Sequence, residues 1–348
     1  MKYAKKILCI QLRQLGDVLM TTPAVRALSE YYPDAEIDFL TEAPGDQIYE
    51  HSPHISKVIK IKRKNSAAEW LKLAAGLRKS KYDLVIDFIG MPKTAIIGWL
   101  SGAAMRIGFN FRGRTLFYTD VVNLPKGVSY APLHKMHLLS ALGLNSENSC
   151  IEFHLSDEDR NRAAEILKQV GVKADRPIVT ISPVSRRDYK VWPPENFAAI
   201  CDHLIRQYKA QILFLWGPGE YSFIQDVRKA MDETSLPDYD IPTLRETSAL
   251  CERADLHIGN DNGPMHFAIA AGTPTVAIFG QPSPANWTPP GSEKNLAVEF
   301  DPGCKKDCRY PECKMECIKE LPVEGVMSAV EVQIKRICGK FKKGDDLT

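Results

Sequence analysis

The stretch Ile-Gly-Asn-Asp-Asn-Gly-Pro-Met-His, from Ile258 to His266, places an acid and an imidazole around a predicted helix start. An apolar strand leads into it, Pro264 is typical of a first helical turn, and Gly272 is predicted to end the helix. A helix N-terminus offers unpaired N–H groups and the positive end of a dipole, so the stretch predicts an anion site for the diphosphate of a nucleotide or nucleotide-sugar. The alternative is an ordinary capped helix in which Asp261 and His266 satisfy only local backbone groups.

Two further polar turns carry a candidate base and a candidate cation. Asp17 follows Gly16 at a helix start, directly after the first apolar run. Because a helix dipole keeps a carboxylate ionised, Asp17 could accept a proton from a sugar hydroxyl, and the alternative is a plain helix N-cap. Lys190 ends a cation-rich turn, where its ammonium would meet a leaving diphosphate. The alternative for Lys190 is a solvated surface loop.

The elements that must position these residues alternate between strand-like and helical patterns. Apolar runs are at 6–12, 35–40, 58–61 and 82–88, and then at 178–182, 211–215, 256–259 and 275–279. The pattern predicts an α/β chain with two doubly wound units. We predict a first domain at 1–150, a second at 151–322, and a C-terminal helix and tail at 323–348. Ligands of parallel sheets bind beyond the carboxyl ends of the strands, which selects the turns at 16–17, 182–190, 217–220 and 259–266.

Composition and charge limit the classes of function. The chain has 348 residues, of which 44% are hydrophobic and 25% charged, as in a soluble globular protein of two domains. No secretory signal is found, so we expect a cytoplasmic protein. The weakly polar run at 94–105 is too short to span a bilayer, so any membrane contact would be peripheral. The net charge is only +2, but local basic clusters are predicted to contact an acidic acceptor or an anionic membrane surface. Solvated surface is the alternative for each of them.

Several classes are disfavoured by missing motifs. The sequence holds neither a Walker A motif nor a G-x-G-x-x-G fingerprint, which argues against a P-loop NTPase and a standard dinucleotide oxidoreductase. The basic clusters lack interleaved aromatic platforms, so we predict no nucleic-acid partner.

Four segments stand in order along the chain, each in a turn that follows a predicted strand. They are Gln-Leu-Arg-Gln-Leu-Gly-Asp-Val-Leu-Met-Thr-Thr-Pro at 11–23, Lys-Val-Trp-Pro at 190–193, Gly-Pro-Gly-Glu at 217–220 and Asn-Asp-Asn-Gly-Pro-Met-His at 260–266. Together they resemble glycosyltransferase family 9, the ADP-heptose:lipopolysaccharide heptosyltransferases. The resemblance is collinear over nearly the whole chain. It implies the GT-B arrangement of two Rossmann-like domains facing across a cleft, with the acceptor mainly on the first and the nucleotide-sugar mainly on the second.

The resemblance also implies roles for individual residues. Asp17 would be the general base of an inverting attack on the anomeric carbon, and Lys190 would steady the donor phosphates. Glu220 would contact the ribose. With the polar turns after the strands, the predicted donor set is Ser182, Lys190, Gly217, Glu220, Asp261, Asn262, Gly263 and His266. The predicted acceptor set comes from the close approach that Gly16 allows and from the basic clusters: Gly16, Lys62, Arg63, Lys64 and Arg112. Cations and helix dipoles would stabilise the leaving nucleotide, so no metal or other cofactor is required for transfer.

Two positions depart from the pattern of the family. Asn262 stands where most members have a small hydroxyl residue, and Pro264 replaces a common apolar residue. Both lie beside the predicted position of the sugar.

A cysteine group near the end of the second domain is a separate signal. Cys304-x3-Cys308-x4-Cys313-x3-Cys317 permits tetrahedral zinc or an iron–sulfur cluster, although it lacks a C-x2-C knuckle. Two short disulfides would fit a reducing compartment poorly. Similar groups occur in many members of the family, so we interpret this one as a structural clasp.

The combined hypothesis is an inverting transfer of heptose from ADP-heptose to a lipid-linked acceptor of the lipopolysaccharide inner core, at the inner face of the cytoplasmic membrane. One alternative is a family member that uses another nucleotide-sugar or acceptor. Another is a non-catalytic protein that only binds a nucleotide-sugar.

Overall fold

The computed structural model describes residues 4–281, 283–304, 307–337 and 339–342. Two compact units divide the chain at Met1–His154 and Leu155–Thr348. The final residues of the predicted tail, 343–348, lie outside the described residues.

Unit 1 is built on a six-stranded parallel sheet. Its strands are β1 Lys6–Ile10, β2 Glu36–Glu42, β3 Lys57–Ile61, β4 Leu84–Asp87, β5 Met105–Phe109 and β6 Asp120–Val122. They lie in the order β3-β2-β1-β4-β5-β6, and every pairing is parallel. The central strand β1 pairs Ile7 with Ile37 on one side and with Leu84 on the other. Its apolar side chains are fully buried, as expected for a parallel sheet covered on both faces.

The helices of unit 1 follow the strands. They are α1 Leu15–Leu19, α2 Thr22–Tyr31, α3 Ala67–Lys79, α4 Pro92–Leu100 and α5 Ala131–His137, with short 3-10 turns at Gly45–Ile48, Thr115–Phe117 and Leu138–Leu142. Prolines in the first turn start α2, α4 and α5. A capping box of Ser66 and Glu69 starts α3, which satisfies two backbone groups at its N-terminus.

Unit 2 has a second parallel sheet of five strands. In chain order its elements are α6 Asp157–Gln169, β7 Ile178–Ser182, α7 Pro194–Tyr208, β8 Gln211–Phe214, α8 Tyr221–Ala230, α9 Leu244–Arg253, β9 Leu256–Asn260, α10 Gly263–Ala271, β10 Thr275–Phe279, β11 Asn295–Glu299, α11 Glu316–Lys319 and α12 Val323–Arg336. The strand order is β11-β10-β9-β7-β8. All four pairings are parallel.

The predicted fold class is confirmed, since each unit is a doubly wound parallel α/β sheet. The capping residue Ser156 starts α6, as predicted, and Gly272 ends α10 with a φ of 76°. Strands β5, β6 and β11 were not predicted. Among the described residues, no helix is long and apolar enough to cross a membrane.

Candidate functional site

The predicted acceptor residues all lie beyond the carboxyl ends of the strands of unit 1. Because the strands are parallel, the turns after β1, β3 and β5 open at one edge of the sheet. Asp17 follows β1, the basic run at 62–64 follows β3, and Arg112 follows β5. The run at 62–64 and Arg112 are exposed, and Gly16 in α1 is half-buried. Contact of these residues with an acceptor stays a prediction.

Asp17 lies inside the first turn of α1, and it is not the N-cap, which is Gln14. The simple capping interpretation is therefore wrong. Among the described residues, no hydrogen bond or ion pair is formed by the Asp17 carboxylate, so it is available to a ligand. Burial raises the pKa of Asp17, while the charges of Lys135 and Arg13 pull it down. A carboxylate with a raised pKa is a better base than an ordinary aspartate.

Lys135 is the residue of this edge that sequence reasoning missed. Its ammonium donates to the carbonyl oxygen of Phe88 at 2.7 Å and to Oε1 of Gln11 at 2.9 Å. Burial lowers the pKa of Lys135, and the carboxylates of Asp17 and Asp87 oppose that shift. Only the tertiary structure brings α5 against the ends of β1 and β4, so no local sequence signal identified this cation.

In unit 2, Asn262 and Ser182 hold together the turns that follow β9 and β7. Asn262 is the N-cap of α10, and its Oδ1 accepts from the backbone N–H of Met265 at 3.1 Å. Its side-chain amide donates to the carbonyl oxygens of Ser182 at 2.9 Å and Val184 at 2.8 Å. Ser182 Oγ lies 3.0 Å from Nε2 of the buried His257. These side chains shape the turn, and their direct contact with a donor stays a prediction.

Lys190 and Asp261 form a buried ion pair beside the N-terminus of α10. The ammonium of Lys190 donates to Oδ2 of Asp261, and the two side chains are 16% and 5% exposed. The solvated-loop interpretation of Lys190 is therefore wrong. The capping alternative required Asp261 to bond only to local backbone groups. Its carboxylate instead pairs with Lys190, which is distant in the sequence. The pair fixes the ammonium of Lys190, with the Asp261 carboxylate as its counter-charge, beside the positive end of the helix dipole.

His266 lies in the same helix, with Nε2 3.9 Å from Oδ1 of Asp261. Burial lowers the pKa of His266 to about 4, with Asp261 opposing the shift and Lys190 adding to it. The imidazole is therefore neutral at neutral pH. In the described part of the chain, its Nδ1 is buried and has no hydrogen-bond partner. An unpaired buried polar atom commonly marks the position of a ligand or an ordered water.

Trp287 and Thr288 extend this group of unpaired polar atoms and were missed by sequence reasoning. The ring of Trp287 lies 5.8 Å from that of His266, measured between centroids. Over the residues that the structure describes, Trp287 Nε1 and Thr288 Oγ1 are also buried without a hydrogen-bond partner. Trp287 and Thr288 lie in the segment that follows β10. Their position after a strand is the sequence feature that could have identified them as candidate site residues.

Glu220 and Gly217 form a tight turn after β8. Oε2 of Glu220 accepts from the backbone N–H of Gly217 at 2.7 Å. The carboxylate is thus fixed in place at the carboxyl edge of the sheet. Its role as a ribose contact stays a prediction.

The cysteine segment packs on the turn that carries Lys190. The hydroxyl of Tyr310 donates to Oδ1 of Asp188 at 2.9 Å, and the rings of Tyr189 and Tyr310 are 4.3 Å apart between centroids. All four thiols are free: Cys304 and Cys308 are exposed, Cys313 is half-buried and Cys317 is buried.

Burial raises the pKa of the Cys317 thiol, and the other three thiols of the group raise it further. In the described ranges the four sulfur atoms do not form a group with ligand atoms within 4.8 Å of one another.

Known proteins of one family are similar to this chain. The family model described as glycosyltransferase family 9 (heptosyltransferase) matches residues 70–319. Lipopolysaccharide heptosyltransferase 3 of Escherichia coli (strain K12) is 26% identical over 295 residues, which is 80% of this chain and 83% of that protein.

Solved structures show the same fold. A glycosyl transferase family 9 protein from Veillonella parvula is similar with a TM-score of 0.83 and 24% identity, covering 96% of this chain and 99% of that one. The E. coli heptosyltransferase WaaC with ADP-2-deoxy-2-fluoro heptose is similar with a TM-score of 0.71 and 19% identity, covering 94% of this chain and 99% of that one.

Proposed function

This chain belongs to glycosyltransferase family 9, and we propose that it transfers heptose from ADP-heptose to an acceptor of the lipopolysaccharide inner core. Family membership makes it a glycosyltransferase. The donor and acceptor are proposed because the relatives that match it are lipopolysaccharide heptosyltransferases.

The observation that carries the proposal is the ion pair of Lys190 and Asp261 at the start of α10. An ammonium has three N–H donors, and Asp261 occupies one of them, so the others can bind phosphate oxygens. The helix dipole adds positive potential at the same point. The unpaired polar atoms of His266, Trp287 and Thr288 supply further hydrogen-bonding groups for the diphosphate or the sugar. This arrangement suits a leaving nucleoside diphosphate.

We assign the base to Asp17. It takes the proton of the acceptor hydroxyl as the hydroxyl oxygen attacks the anomeric carbon. The bond from that carbon to the diphosphate breaks on the opposite side, the configuration inverts, and ADP leaves with the bonding electrons. Lys135 and Arg13 keep Asp17 ionised before the attack, since both charges favour its carboxylate. Lys190 and α10 stabilise the departing charge, so the step needs no metal ion.

We propose that the acceptor is lipid-linked and that the protein contacts the inner face of the cytoplasmic membrane peripherally. The exposed basic run at 62–64 would bind its anionic groups. Charge reversal there (K62E/R63E/K64E) should weaken binding to phosphatidylglycerol vesicles. Reversal of three exposed cations of unit 2 (K168E/K173E/R176E) is the matched control. Equal binding of both variants would contradict this surface.

We propose that the cysteine group is a structural clasp that holds zinc or an iron–sulfur cluster. Four thiols match the ligand preference of zinc and of iron–sulfur clusters. The segment would then stabilise the turn of Lys190 through Tyr310. Elemental analysis of the wild type and of C304S/C308S/C313S/C317S tests this, and equal metal content in both would contradict it.

A donor panel tests the main proposal. ADP-heptose should support transfer to a core acceptor, whereas UDP- and GDP-sugars should not. Transfer only from a donor without heptose would move the assignment to another substrate within the family. If the wild type bound ADP-heptose but never transferred sugar to any core acceptor, the non-catalytic alternative would be correct.

A further inference from the structure

Three side chains of unit 1 bring metal-ligand atoms together, and none of them belongs to the predicted transfer site. They are His54, in the turn before β3, and Glu152 and His154, in the segment after the last 3-10 turn of the unit. Oε1 of Glu152 lies 3.3 Å from Nε2 of His54 and 3.2 Å from Nε2 of His154. All three side chains are partly buried. Among the described residues, this is the one such group with ligand atoms within 4.8 Å of one another.

The spacing of these atoms matches a tetrahedral metal site. Nitrogen and oxygen ligands about 2.0–2.1 Å from zinc, at tetrahedral angles, stand about 3.3 Å from each other. The separations from Oε1 of Glu152 to the two ring nitrogens are 3.3 and 3.2 Å. We propose that His54, Glu152 and His154 bind a zinc ion, with water as the fourth ligand.

Surrounding groups hold the carboxylate in the geometry of a single-oxygen ligand. Nη1 of Arg26, on α2, donates to Oε2 of Glu152 at 2.7 Å, which leaves Oε1 for the ion. The backbone N–H of Glu152 donates to Oγ1 of Thr22 at 3.0 Å. The guanidinium also donates to the carbonyl oxygens of Asn148 at 2.9 Å and Cys150 at 3.2 Å. Such outer contacts orient ligands before a metal arrives.

The donor set selects the type of ion. Two imidazoles and one carboxylate suit zinc and related transition ions, whereas calcium and magnesium prefer oxygen ligands alone. The ion would fasten the segment 148–154 to the turn before β3. Its role is structural, and the transfer step does not pass through it.

Zinc content of the intact full-length protein tests the site. H54Q/H154Q should bind one zinc per chain fewer than the wild type, since both nitrogen ligands are lost. H51Q removes an exposed histidine of the same turn and should keep the wild-type count. Added zinc should raise the melting temperature of H51Q more than that of H54Q/H154Q. Circular dichroism establishes that both variants are folded.

Cobalt substitution separates this site from the cysteine group. The cobalt-loaded wild type should show visible absorption bands that H54Q/H154Q lacks. The difference should contain no sulfur-to-cobalt charge-transfer band, because the ligands of this site are nitrogen and oxygen. C304S/C308S/C313S/C317S should keep those bands. Equal zinc counts in H51Q and H54Q/H154Q, or no zinc bound to the quadruple cysteine variant, would overturn the proposal. Either result leaves the sugar-transfer assignment untouched.

Discussion

Two glycines near the proposed donor site differ in what an added methyl group would meet. Gly259 is in β9, and a Cβ there would lie 2.1 Å from Oγ and 2.8 Å from the carbonyl oxygen of Ser182. Gly263 begins α10, and a Cβ there would meet nothing within 4 Å beyond its two neighbours in the chain. We therefore expect Gly259→Ala to act on stability and Gly263→Ala to act on donor binding.

The cost of Gly259→Ala follows from those contacts. Ser182 must move by about 1 Å to reach ordinary contact distance, and such overpacking costs about 1–3 kcal/mol. The movement also breaks the contact of Ser182 with His257, which leaves a buried ring nitrogen unpaired and costs about 1–3 kcal/mol more. The sum corresponds to a fall in melting temperature of about 5–20 °C for a domain of this size.

Gly263→Ala is the matched comparison. Alanine is favoured over glycine in a helix by up to about 1 kcal/mol, but a Cβ directly before Pro264 disfavours the helical backbone. The two effects oppose each other, so the melting temperature should change little. The methyl group would project into the space assigned to the diphosphate. A steric cost of about 1–3 kcal/mol there raises KM for the donor about fivefold to a hundredfold.

Thermal unfolding followed by circular dichroism and steady-state kinetics at varied ADP-heptose measure both effects. An unchanged melting temperature in Gly259→Ala would refute the packing argument. A wild-type KM for the donor in Gly263→Ala would show that the start of α10 does not bind the diphosphate.

Three further outcomes concern the charged residues of the two sites. Asp17→Asn should lower the transfer rate about 10²–10⁴-fold and leave the affinity for ADP unchanged. The control Asp34→Asn, at an exposed position, should change neither quantity. A loss of ADP affinity in Asp17→Asn as large as its loss of rate would argue against a base. Because burial raises the pKa of Asp17 and the carboxylate is the active form, kcat/KM should fall on acidification through that raised pKa, and Lys135→Met should move this fall to higher pH. An unmoved pH profile would exclude the influence of Lys135. Lys190→Met should weaken ADP binding about ten- to hundredfold in titration calorimetry, because charge-assisted hydrogen bonds are lost. If Lys190→Met kept the wild-type affinity for ADP, the diphosphate would have to bind elsewhere.

The sequence by itself determined the architecture and the family. Runs such as Ile178–Ser182 and Thr275–Phe279 are apolar throughout, which is typical of strands covered on both faces, and the structure confirms them. Helix α10 was predictable from Pro264 and Gly272, because its signals are local. Strands β6 and β11 were missed because each lies at an edge of its sheet and is partly exposed, which weakens the apolar pattern.

Only the tertiary structure decided which charges meet. Lys190 pairs with Asp261, which is 71 positions away in the sequence, and Lys135 donates a hydrogen bond to Gln11, which is 124 positions away. The candidate metal site likewise joins His54 to Glu152 and His154, which lie in different segments. Periodicity reports only which way neighbouring side chains face. Contacts between distant segments depend on strand order and on how helices pack over the sheet, and a single sequence does not display either.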